Sequence, residues 1–230
     1  MILFYDKNDV PFFTDIYIYN MSEFYTIHKG KMTHIIIFVD WDNTLLPTNL
    51  LTNDSHYFKY GVISDDMLKQ LAQLEKSVET LLDSILAQAN LFIVTNAELN
   101  WVNLSAQTYF PKLYKKLGNY KIISARDLHC DKFPKNIAKW KYEVFKQIID
   151  KIKKDSNMKV HVVNIADGDL EYDAIKLLFK LHQNFYIKNV QIIEQSSISK
   201  LKKQLDLINT NLDTIVKHNG DLTVKLKIIK

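Results

Sequence analysis

The sequence predicts an α/β protein: an open parallel sheet of about five strands with helices on both faces and no separate cap domain. Three observations carry this reading. Short, wholly apolar, β-branched runs recur along the chain, which is how strands buried on both faces of a parallel sheet read. Segments of helical periodicity separate each run from the next. With 230 residues, 47% of them apolar and only 5 Gly and 4 Pro, there is material for one sizeable core, and collagen-like, linker-dominated and wholly disordered chains are excluded.

Residues 1–33 are aromatic-rich, with Phe12, Phe13, Tyr17, Tyr19, Phe24 and Tyr25, and lack a sustained period. They read as an N-terminal extension, dispensable if the chain starts at Met21 or Met32, or as an edge strand on the main domain. The core spans 34–195. Its first strand is Ile35-Ile36-Ile37-Phe38-Val39. Ser64 then caps a long amphipathic helix, with Asp65 and Asp66 in the first turn and Leu68, Leu71, Leu74, Val78, Leu81, Leu82 and Ile85 on one stripe. Further strands are predicted at Leu91–Val94, Tyr120–Ile123, Val160–Ile165 and Val190–Ile193, and helices at 98–109, 135–154, 170–183 and 198–209. Residues 196–230 supply a C-terminal helix and an edge strand, Leu222–Ile228, whose apolar and polar residues alternate. The whole is a Rossmann-like arrangement.

A lone cysteine, Cys130, forms no intramolecular disulfide and points to a reducing compartment. No apolar run approaches the roughly 20 residues needed to cross a bilayer, and the N-terminus resembles no leader peptide; the expectation is a soluble, cytoplasmic protein without a membrane partner. The formal charge is +4, but Arg126 is the only arginine. Bidentate phosphate and base contacts come mostly from Arg, so nucleic acid is a disfavoured partner.

In open α/β sheets ligands bind beyond the carboxyl ends of the strands. The first strand ends in Asp40-Trp41-Asp42-Asn43-Thr44, the second in Thr95-Asn96-Ala97, and the fourth in Asp167-Gly168-Asp169-Leu170-Glu171. Each alone reads as a helix cap. Together they bring carboxylates and a hydroxyl to one rim, where acids repel unless a cation shares them. Oxygen ligands without His or Cys indicate Mg²⁺.

These motifs resemble the haloacid dehalogenase-like (HAD) hydrolases of the capless type, over roughly residues 34–195. Asp40, Asp42 and Thr44 match that family's Asp-x-Asp-x-Thr/Val, Thr95 its second-strand Ser/Thr, and Asp167 with Glu171 its acidic turn; Ala166 stands where a Gly is usual. The Trp140-Lys141 pair is similar to a poorly characterised subgroup found in protists, plants and large viruses. The resemblance implies a phosphatase or phosphotransferase with its phosphate-binding lysine before the fourth strand. Lys135, Lys139 and Lys141 all qualify by position; Lys141 is preferred because it follows Trp140, with Lys139 in reserve.

The chemistry suits the residue types. Asp40 is placed to act as nucleophile on phosphorus, forming an acyl phosphate. Asp42, two positions on, is placed to protonate the leaving oxygen and then deprotonate water. Mg²⁺ would be held by the Asp40 side chain, the Asp42 backbone carbonyl and Asp167, with Glu171 ordering its waters. Thr95, Asn96 and Lys141 would bind the phosphoryl oxygens. Of the two gaps where such proteins carry caps, the first holds a polar flap at Asn49–His56 and the long helix, and the second, Ser124 to Pro134, only a loop. The site should therefore be open, to be closed either by the bulk of a phosphorylated macromolecular substrate or by a partner subunit, with His56, Tyr57 and Trp41 flanking it or with Tyr57 and Trp41 packing locally. The rival readings are a catalytically degenerate binding or scaffold protein of the same fold, which the intact acids oppose, and a Mg²⁺ nuclease, which the scattered lysines oppose.

Overall fold

The computed structural model describes residues 33–53, 63–152, 159–179, 185–193 and 197–226. The N-terminal extension up to Met32, the flap residues Asp54–His56, Tyr57 and the tail beyond Leu226 lie outside the described residues. In chain order come β1 (Thr33–Val39), α1 (Thr48–Asn53), α2 (Asp65–Leu86), β2 (Asn90–Thr95), α3 (Leu99–Tyr109), α4 (Pro111–Tyr114), β3 (Ile122–Ser124), α5 (Ala125–His129), α6 (Ile137–Ile152), β4 (Lys159–Ala166), α7 (Leu170–Phe179), β5 (Phe185–Gln191), α8 (Ile198–Lys217) and β6 (Leu222–Lys225).

Every strand pairs in parallel, in the order β3-β2-β1-β4-β5-β6. The sixth strand is the closing edge segment, set against β5 with Val190 opposite Val224. Side chains alternate across β1 because the strand period is two. Ile36 and Phe38 join Phe92, Val94 and Val162 on one face, beneath Val144 and Phe145 of α6 and Ile175 of α7. Ile37 and Val39 join Leu91, Ile93, Val163 and Ile165 on the other, beneath α2, α3 and α8. Each fully buried aliphatic or aromatic side chain contributes about 1.5–3 kcal/mol, and the central strands bury both faces, which is why they read as unbroken apolar runs.

The long helix α2 starts as expected, with Ser64 Oγ accepting from the Met67 N–H at 3.2 Å, and buries the Leu71-to-Ile85 stripe. Elsewhere the boundaries moved for identifiable reasons. β3 begins at Ile122 rather than Tyr120, because Tyr120 turns toward α2 and its hydroxyl donates to Asp83 at 3.0 Å. β5 occupies Phe185–Gln191 rather than Val190–Ile193; it contains the buried polar residues Lys188 and Asn189, and Asn189 is paired with Asn164 of β4 at 2.9 Å. α8 runs on to Lys217 because Leu212, Ile215 and Val216 continue its buried stripe. The expected loop between Ser124 and Pro134 contains α5, capped by Ser124, and the Asn49–Asn53 portion of the expected flap is helix α1. Among the described residues no separate cap domain is inserted, and no helix is long and apolar enough to cross a membrane.

Candidate active site

From β1 the chain moves outward to β2 and β3 on one side, then crosses to β4, β5 and β6 on the other. The switch point lies between β1 and β4, where Val39 sits opposite Ile165, and a crevice there is where open α/β sheets take ligands. Asp40 and Asp167 are the first residues beyond the two strands that flank it. Sheets of this strand order bind dinucleotides through a Gly-rich first turn. Here that turn reads Asp40-Trp41-Asp42-Asn43-Thr44, with no glycine to permit such close backbone approach.

The turn is shaped by its own residues. The Asp40 N–H donates to the Ile165 carbonyl at 3.0 Å, extending the ladder by one residue, and the Trp41 carbonyl accepts from Leu45 and Leu46 at 2.9 and 3.0 Å. Asn43 adopts φ 55°, a conformation Asn tolerates better than most residues, and its Oδ1 accepts from the Asn49 N–H at 2.8 Å. Trp41 is fully buried and donates through Nε1 to Ser105 Oγ at 3.1 Å. It therefore packs in the core and does not flank a substrate, while His56 and Tyr57 are outside the described residues.

Lys141, in the first turns of α6, is the lysine that meets the rim. Its Nζ donates to Asp40 Oδ1 at 2.7 Å and to Glu171 Oε1 at 2.6 Å, and all three residues are buried. Lys139 instead lies over the Phe133 ring, 4.6 Å from its centroid, and 3.9 Å from Glu143, and Lys135 is exposed. Of the acids after β4, Asp169 is exposed and accepts from Gln191 at 3.0 Å, and Asp173 is exposed on α7. Glu171 is the one that turns inward.

The electrostatics follow from one ammonium among three carboxylates. Burial raises the Asp40 pKa and Lys141 opposes it, but Glu171 and Asp167 add to the rise, and the result is a pKa of about 7. Burial alone would lower the Lys141 pKa; the charges of Asp40 and Glu171 and the hydrogen bonds to both outweigh it and hold the lysine above its ordinary value. The second oxygen of Glu171, Oε2, is buried without a hydrogen-bond partner among the described residues, as are Thr44 Oγ1 and Asn96 Oδ1 at the same end of the sheet. Buried polar atoms in this state are costly unless something else reaches them.

Thr95 is fully buried, and its Oγ1 accepts from the Ala97 N–H at 3.0 Å, leaving the hydroxyl proton available for another acceptor. The segment after β2 is braced from the end of β3: Ser124 Oγ donates to the Ala97 carbonyl at 2.7 Å, and Asp127 Oδ2 accepts from the Leu99 N–H at 2.9 Å. Asp42 is half-buried, with its carboxylate held by Thr48 and Trp101. Sequence reasoning missed these supports. The Ser124-x-x-Asp127 capping pattern was a usable signal for the first pair, but nothing local marks Trp101, which reaches Asp42 from 59 residues away.

Among the described residues no three His, Cys, Asp or Glu side chains are grouped as a metal-ligand set. Mg²⁺ keeps several waters and takes only one or two carboxylates from a protein. Asp40 and Asp167 are oxygen donors whose mutual repulsion a cation would relieve, and Glu171, engaged by Lys141, stands behind them with an unpartnered oxygen. The residues present fit such an ion. No protein-family model, curated protein or solved structure matches the chain.

Proposed function

We propose that this protein is a Mg²⁺-dependent phosphoester hydrolase working through an aspartyl phosphate on Asp40. The observation that carries the proposal is the buried Lys141 bridge between Asp40 and Glu171 at the switch point, beside Asp167. Three carboxylates around one buried ammonium leave the rim short of positive charge, which favours a bound divalent cation, and that cation together with Lys141 would offer a phosphoryl group the positive charge it needs. The motif likeness to the HAD hydrolases points the same way.

In the first step an Asp40 carboxylate oxygen forms a bond to phosphorus as the ester P–O bond breaks, and Asp42 gives its proton to the departing oxygen. In the second, Asp42, now a carboxylate, takes a proton from water while the water oxygen bonds to phosphorus and the Asp40–phosphorus bond breaks, releasing phosphate and restoring both acids. Lys141 neutralises charge on the transferring group, and Thr95, Asn96 and nearby backbone N–H groups donate to its oxygens. Mg²⁺, held by Asp40, the Asp42 carbonyl and Asp167, supplies further charge neutralisation when bound. The substrate class favoured is a phosphorylated macromolecule, since no inserted domain covers the rim among the described residues.

The test is hydrolysis of a generic aryl phosphate with Mg²⁺ by the wild type and by Asp40→Asn. Turnover in the wild type that falls at least about 10³-fold in the variant is expected, as for loss of a nucleophile. Equal activity in both would overturn the assignment. No turnover on a panel of phosphometabolites, phosphopeptides and polynucleotides, together with capture of a specific partner, would favour the degenerate binding protein.

A further inference from the structure

The Asp42 carboxylate is fixed by donors from two different helices. Trp101 Nε1 of α3 donates to Asp42 Oδ1 at 2.9 Å, and Thr48 Oγ1, at the start of α1, donates to the same atom at 2.5 Å. Among the described residues Oδ2 accepts no hydrogen bond. The same helix holds the preceding residue too: Ser105, one turn beyond Trp101, accepts from the buried Trp41 indole at 3.1 Å. Helix α3 therefore grips two consecutive residues of the turn through side chains spaced i and i+4, which lie on one helical face.

We infer that Trp101 and Thr48 are positioning residues that make Oδ2 of Asp42 the single atom through which this carboxyl passes its proton. Two donors on Oδ1 fix the orientation of the carboxyl and leave Oδ2 as the oxygen with no partner among the described residues. The proton is thereby presented from one atom in one orientation. General acid catalysis depends on this, because the acid must lie within hydrogen-bond reach of the leaving oxygen. The inference rests on the phosphoester reading above, since only a leaving group that needs a proton gives Asp42 one to deliver.

That dependence supplies a readout which a merely structural role would not move. A nitrophenolate departs without a proton, whereas an unsubstituted phenolate needs one far more. The experiment measures kcat and KM of the full chain with Mg²⁺ on a series of substituted phenyl phosphates, for the wild type, Trp101→Phe and Thr48→Val. In each variant phenyl phosphate should lose kcat by at least about tenfold more than 4-nitrophenyl phosphate, so that the dependence of rate on leaving-group acidity steepens while KM hardly changes. An unchanged dependence, whether activity is kept or lost equally on all substrates, would overturn the inference and leave the phosphoester reading standing. Absence of turnover by the wild type on the whole series would overturn both. Thr48→Val is nearly isosteric and carries the test alone where Trp101→Phe fails to fold.

Discussion

Among the described residues two lysines are buried, Lys141 at 2% and Lys188 at 0% exposure, and they are buried in opposite ways. Lys141 sits at the carboxyl end of the sheet between two carboxylates, which keep it charged against the cost of burial. Lys188, in the middle of β5, has no acid beside it among the described residues. Its Nζ bonds the Val216 carbonyl in the last turn of α8 and lies 2.8 Å from His161 Nδ1, and burial lowers its pKa to about 8. His161 Nδ1 also lies 2.9 Å from the Val216 carbonyl, so the imidazole and the ammonium converge on one acceptor. A cation against the carbonyl end of a helix is a structural device; a cation shared by acids at a switch point is a chemical one. Burial of a charge does not by itself indicate function, and the groups around it decide.

The sharpest way to break the comparison is to remove each ammonium. Lys141→Met leaves Asp40 and Glu171 buried without their cation, and should cost about 3–5 kcal/mol at pH 7 by urea denaturation, with loss of turnover. Lys188→Met replaces a poorly compensated buried charge by a thioether of similar length and should change stability by within about 1 kcal/mol with turnover kept. Equal losses in the two variants would mean that both lysines are simply structural.

A smaller effect separates the two through pH and metal. Asp40 has its proton affinity raised to about 7 from 3.8, so between these values the folded state holds a proton that the unfolded chain has released. Stability therefore falls as pH rises through that window, and the cost is fully present above pH 7. Mg²⁺ should offset it, raising Tm by a few degrees at pH 8, at roughly 2–4 °C per kcal/mol, and hardly at all at pH 5, where protons compete. Asp40→Asn should abolish both the pH dependence in this window and the Mg²⁺ response.

The smallest effect lies at Lys188. Its folded pKa of about 8 is below the ordinary 10.5, so between these values the unfolded chain binds a proton that the folded state lacks, and stability rises with pH. Denaturation curves taken across pH 8–10 should show that rise in the wild type and a flat response in Lys188→Met. A rise in both would assign it to other groups.

The same contrast explains what could be read from the sequence. β1, β2 and β4 were legible because strands buried on both faces are continuous apolar runs, and Asp40, Asp42, Thr95 and Asp167 because they stand at the strand ends or within three residues of them. Lys141 was favoured over Lys139 only through the likeness to a family, since helical spacing leaves both in the right turn. β5 was displaced because Lys188 and Asn189 interrupt its hydropathy, and they are tolerated inside only through partners on β4 and α8. The burial of Trp41 and the hold of Trp101 and Thr48 on Asp42 depend on where α3 and α1 lie against the turn, which no local pattern encodes.

The central claim is that Asp40 carries the phosphoryl group, and quenched turnover tests it most directly. Wild-type protein with Mg²⁺ is mixed with an aryl phosphate, stopped in acid within one turnover, and its peptides are mapped by mass spectrometry. One phosphoryl group should appear on the peptide containing Asp40, and none in Asp40→Asn. Hydrolysis that proceeds with no phosphoryl group on that peptide, and survives in Asp40→Asn, would contradict the account.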